Sequence, residues 1–82
     1  MRVRRTGAKR GQSPVWFIQA STEAEVNAIR AGLLENKSPD PRWWRHVLAW
    51  GYSSKKAALA GMADLQHQVD TAIAELHAQE IA

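Results

Sequence analysis

"PRWWRHVLAWGYSSKKAALAG" (Pro41–Gly61) decides the fold, because two local rules read it differently. As a helix, it has Asp40 as a favoured N-cap and Pro41 as a favoured first residue. Trp43, Val47 and Trp50 then share one side, with Trp44 and Leu48 beside them, and Gly51 stops the turn. A short helix, a turn at Gly51–Ser54 and a second helix make an all-α chain with a helix-turn-helix over residues 41–79. As a strand, "RHVLAWGY" (Arg45–Tyr52) meets a need elsewhere in the chain.

That need comes from "VWFIQA" (Val15–Ala20), a short β-branched and aromatic run between Pro14 and Ser21. Its length and composition predict a buried strand. One isolated strand leaves its backbone groups unpaired, so it requires a partner. Arg45–Tyr52 is the best candidate, and the reading adopted is strand. Strict alternation puts His46, Leu48, Trp50 and Tyr52 on one side and Arg45, Val47, Ala49 and Gly51 on the other. "FIQAST" and "LAWGYSS" also echo each other, each an apolar run followed by a hydroxyl cap and a helix. Two tandem β-α units predict a parallel or mixed sheet with helices on one face.

"STEAEVNAIRAGLLEN" (Ser21–Asn36) reads as the first helix. Thr22 and Glu25 form a capping box, and Glu23 and Glu25 suit the positive end of the dipole. Val26, Ile29, Leu33 and Leu34 carry the stripe, so the helix is expected over Glu23–Asn36. The second helix is expected over Lys55–Gln79, with Ala58, Met62, Leu65, Val69, Ala72 and Leu76 as a coiled-coil-like seam widened by Ile73. That seam serves either the chain's own sheet or a partner. Gly32 and Gly61 fall inside helical patterns and read as close-packing points.

The expected fold is therefore α+β: a small sheet of two to three strands covered by two helices in β-α-β-α order. Residues 1–14 are expected as a basic flexible arm, with a weak strand at Arg2–Thr6 as the other reading, and residues 15–82 as one domain. The chain of 82 residues carries a net charge of +3, which hides an asymmetry. Residues 1–12 hold Arg2, Arg4, Arg5, Lys9 and Arg10 and no acid, whereas the remainder has six cations and eight acids. Basic arms suit nucleic acid or another acidic surface. With no cysteine, disulfides and thiolate metal sites are excluded. No apolar run is long enough for a signal peptide core or a membrane span, so a cytoplasmic protein without a membrane partner is expected.

Lys55 and Lys56 oppose the dipole at the start of the second helix, where free amides and two ammonium groups suit a phosphate or carboxylate. Surface lysines that cost little are the plainer reading. Arg42, Trp43, Trp44 and Arg45 form a basic-aromatic cluster that could stack on bases, anchor an interface or fill a small core. Trp50 and Tyr52 extend it, and at least one of Trp43 and Trp44 is expected to be exposed or to meet a partner. His67 with Asp64 or Asp70 lacks a third ligand, so no metal or other cofactor is expected. No Gly-rich phosphate loop or nucleophile motif is present, which argues against an enzyme.

"SSKKAALAG" (Ser53–Gly61) is similar to the start of the last helix in double-stranded RNA-binding domains, which implies Lys55 and Lys56 as phosphate contacts. That family places three strands between its helices, and this chain has room for one or two. "GYSSKKAA" (Gly51–Ala58) resembles part of the helix-turn-helix of phage terminase small subunits. The leading expectation is a non-enzymatic module that binds nucleic acid electrostatically through the arm and the Lys55-Lys56 helix start. The other is a protein-interaction module acting through the long helix and exposed tryptophans: a small regulator, an inhibitor, or a subunit of an oligomer or larger assembly such as a phage particle.

Overall fold

The computed structural model describes residues 1–7, 11, 13–42 and 44–81. Strands β1 (Arg2–Arg5), β2 (Trp16–Gln19) and β3 (Val47–Tyr52) alternate with helices α1 (Glu23–Arg30) and α2 (Lys55–Ile81) in the order β1-β2-α1-β3-α2. The fold is α+β, with a three-stranded sheet in the order β1-β2-β3. Both strand pairs are antiparallel, which corrects the expected parallel or mixed sheet. β3 starts beside the end of β2, at Gln19↔Val47, so the chain through α1 makes no crossover to a parallel strand. The helix-turn-helix alternative fails because Val47–Tyr52 is a strand.

Arg2–Arg5 takes the strand reading rather than the arm reading. It is paired to β2 from Arg2↔Gln19 to Arg5↔Trp16, and Thr6 extends the ladder by two further bonds with Val15. A row of arginines is tolerated there because β1 is an edge strand, where charge discourages pairing with another chain. Lys9 and Arg10 lie outside the described residues.

The Asp40-Pro41 helix start is real but does not propagate. The Asp40 side chain accepts from the Arg42 amide, and the Asp40 carbonyl accepts from the Trp44 amide, which closes one turn. The chain then bends at His46, whose φ is 57°, and enters β3. Ahead of this turn, Asn36 Oδ1 accepts from the Val47 amide, and the Lys37 amide donates to the Val47 carbonyl. These bonds cover the start of the β3 edge.

α1 begins as its capping box predicts, with both reciprocal bonds between Thr22 and Glu25 formed. It ends at Arg30 rather than Asn36. Gly32 has φ 79°, its amide donates to the Ile29 carbonyl, and the Leu33 amide donates to the Ala28 carbonyl. These are the paired bonds of a Schellman stop with glycine in the left-handed position. Gly32 is thus a helix terminator and not a packing point.

Gly61 is a packing point. A Cβ there would overlap the Tyr52 phenol. α2 touches all three strands and α1. Ala58, Val69 and Ala72 of its seam are buried, and Met62, Leu65 and Ile73 pack on the Ile18–Leu48–Val69 cluster. The seam therefore covers the chain's own core. At 27 residues α2 runs about 40 Å, and the molecule measures 52 × 26 × 15 Å.

Candidate nucleic-acid interface

The face of the sheet turned away from α2 is built by register. Directly opposed residues of an antiparallel pair share a face. Arg4, Phe17 and Trp50 form one such row, and Arg2, Gln19 and Val47 the next. Two register shifts in the β2–β3 pairing make this possible. At the first, Gly51, with φ 101°, is the extra residue between Trp50 and Tyr52. At the second, Leu48 is extra between Val47 and Ala49. Each bulge reverses the alternation. Leu48, Ala49 and Tyr52 therefore join the helix-side core, while Val47 and Trp50 face outward. This corrects the expected grouping of His46, Leu48, Trp50 and Tyr52.

Phe17 is the centre of the outer face and is fully buried. Trp50 stacks on it at 4.9 Å, Trp44 meets it edge-on at 5.3 Å, and the two indoles lie 6.1 Å apart. Trp44 comes from the single turn after Asp40, so that turn roofs the outer face. Trp44 and Trp50 are half-buried, and Tyr52 lies against α2 at Gly61. Trp43 is outside the described residues, so the expectation for the Trp43-Trp44 pair is placed only for Trp44.

Polar chemistry lies beside this cluster. Gln19 Oε1 accepts from Arg4 Nη1 at 3.0 Å and from Arg2 Nη2 at 3.4 Å, while Gln19 Nε2 donates to the Arg45 carbonyl at 2.7 Å. One amide thus ties two arginines of β1 to the chain entering β3. Nothing in the sequence singled out Gln19, because its role depends on cross-strand register.

The expected basic residues divide into three sets. Arg2 and Arg4 share the outer face, with Arg45 at its end. Arg5 is on the opposite face, its guanidinium 5.7 Å from the centre of the Trp16 ring. Arg5, Trp16 and Tyr52 are in one row, so Arg5 lies at the end of the sheet from which the chain enters α2 at Lys55 and Lys56. There Ser54 Oγ caps the helix by accepting from the Ala57 amide. Arg42 is engaged by Asp40, at 3.2 Å. That guanidinium holds the Asp40 carboxyl below its ordinary value, against a smaller opposing effect of desolvation. Among the described residues, Arg2, Arg4, Arg5, Arg45, Lys55 and Lys56 form no ion pair with an acid.

The acids are elsewhere. None of the eight is on a strand: six lie on α1 and α2, and Glu35 and Asp40 lie on the connection to β3. Glu25 is buried and binds the Met1 ammonium through both carboxylate oxygens at 2.8 Å. Burial pushes its carboxyl up, but the amino terminus and the Ser21 and Thr22 amides outweigh this and hold it below its ordinary value. On α2, Asp70 accepts from Gln66. Among the described residues no group of three metal-ligating side chains converges, and no helix is long and apolar enough to cross a membrane. A single strand separates α1 from α2, so the element order departs from that of double-stranded RNA-binding domains. Compared with protein-family models, curated proteins and solved structures, the chain matches none.

Proposed function

We infer that the chain is a non-enzymatic, cytoplasmic binding module that engages nucleic acid through the basic rim of its outer sheet face. The observation that carries this reading is the segregation of charge. Exposed cations occupy β1, the entry to β3 and the start of α2 without acidic partners among the described residues, and the acids lie on the helices and the Glu35–Asp40 connection. A phosphate backbone rewards such cations by releasing its condensed counterions. Arg2, Arg4 and Arg45 form the principal contact, and Arg5, Lys55 and Lys56 extend it around the end of the sheet.

The test is fluorescence anisotropy with a labelled mixed-sequence DNA duplex at rising salt. Binding at low salt that weakens steeply as salt rises, and that is largely lost in a variant with Arg2, Arg4 and Arg45 all changed to Gln, supports the reading. No affinity at low salt ends it.

A protein-interaction module is the second reading. Ile81 is 71% exposed at the end of α2 and Leu59 is 44% exposed near its start. Light scattering that finds a dimer or larger assembly would favour it.

A further inference from the structure

Resting on that reading, we propose that the outer face takes the phosphate backbone of a duplex, without reading bases, and that Gln19 is the residue that positions Arg2 and Arg4 for it. Single-strand binders need aromatic faces free to stack on bases. Here the described rings are used within the chain: Phe17 is buried, Trp44 and Trp50 close over it, Trp16 carries Arg5, and Tyr52 fills the space left by Gly61. Among the described residues, the exposed side chains at the rim of this face, Arg2, Arg4 and Arg45, offer charge.

That charge is spaced. Residues two apart on one side of a strand are about 7 Å apart, so Arg2 and Arg4 form a pair of fixed separation along β1. An unrestrained arginine loses about 2 kcal/mol of rotamer freedom when it is fixed. Gln19 has already imposed part of that order by accepting from both guanidiniums. Its own orientation is set by the bond from Nε2 to the Arg45 carbonyl. A neutral amide does this without cancelling either charge, so both guanidiniums keep donors for phosphate oxygens. Because β1 is an edge strand, its arginines reach a backbone without the sheet entering a groove. A duplex holds its phosphates in a stiff, regular row, which a pre-set pair of cations fits better than a flexible single strand does.

The experiment compares the full chain with Gln19→Met and Gln19→Glu on a DNA duplex of about 24 base pairs and on its separated strands, at several salt concentrations. Wild type is expected to prefer the duplex. Gln19→Met keeps both charges, so affinity should fall by about three- to tenfold with the salt slope unchanged. Gln19→Glu pairs with the two guanidiniums, so affinity should fall further and the slope flatten by about one. Circular dichroism establishes that each variant is folded, and either variant suffices alone. If the single strands bind as tightly as the duplex, or if the folded variants bind like wild type, the inference is overturned while the nucleic-acid reading stands. If a polyglutamate peptide binds and neither nucleic acid does, both fail.

Discussion

Phe17 and Ile18 are adjacent in β2, both fully buried, and point to opposite faces of the same sheet. Ile18 enters a cluster with Leu48 and Val69, closed by a helix of 27 residues. Phe17 enters an aromatic group closed by Trp50 of β3 and by Trp44 from a single turn of chain. The first face is sealed by regular structure, with Arg5 at one end of it. The second is sealed locally and edged by Arg2, Arg4 and Gln19. A small sheet can thus carry two cores, and the one that needs less chain to close it leaves its arginine rim exposed.

The comparison breaks if the outer group is decoration. Phe17→Ala should cost about 3–5 kcal/mol and Ile18→Ala about 2–5 kcal/mol, as large-to-small changes at buried sites do. Urea unfolding followed by circular dichroism measures both. A loss under about 1 kcal/mol for Phe17→Ala, beside a large one for Ile18→Ala, would mean that only the helix side is a core.

Gly61→Ala probes how closely the helix side is fitted. The added methyl would meet the Tyr52 ring, which Trp16 flanks across the strand pair. Overpacking of this kind costs about 1–3 kcal/mol. In a Tyr52→Ala background the same change should become neutral or favourable, since alanine is the better helix former by about 1 kcal/mol. Thermal unfolding of the four proteins gives the coupling directly.

How far these two faces could be read from the sequence follows from what each depends on. The strand at Val15–Ala20 and its partner before Tyr52 were legible, because apolar runs and the need to pair them are local facts. So were the α1 capping box and the close packing at Gly61. The α1 stop was hidden because Leu33 and Leu34 continue the helical spacing past Gly32, although glycine after the last turn is the usual sign of a left-handed cap. β1 was obscured by its three arginines, which resemble a solvated arm unless the edge position is known. The faces of β3 were misassigned because two bulges reverse the alternation, and only the pairing reveals them. Arg2 and Arg4 were legible as candidates from a basic run, Arg45 from the tryptophans beside it, and Lys55 and Lys56 from their place against the helix dipole. Gln19 was not, since its three partners are 15 to 26 residues away in the chain.

β1 is held from both sides, by the Met1–Glu25 pair toward the helices and by Gln19 on the outer face. These attachments differ in burial, and so should their effects. Glu25→Gln retains an oxygen for the Ser21 and Thr22 amides but loses the charge facing the Met1 ammonium. It should cost about 1–2 kcal/mol at neutral pH. The Glu25 carboxyl titrates below its ordinary 4.5 in the folded chain. Its contribution is therefore complete above that value, declines as pH drops below it, and is gone once pH has fallen through the folded-state value. Denaturation midpoints of wild type and Glu25→Gln should converge toward acid. A gap that stays constant from pH 7 to pH 3 would remove the ion pair as its cause.

The outer attachment should be the smallest contributor of all. Arg2, Arg4 and Arg45 are exposed, and exposed polar contacts of this kind are worth little. Arg4→Ala should shift stability by no more than about 0.5 kcal/mol, and so should Arg2→Ala. If Arg4→Ala costs as much as Glu25→Gln, the rim is part of the fold, and its arginines are committed to holding β1. If it costs almost nothing, Arg4, exposed beside a closed aromatic group, has no structural duty that explains its bond to Gln19. An ordered cation that the fold does not need is what a binding surface requires, so the stability measurement on Arg4→Ala tests the functional reading before any ligand is added.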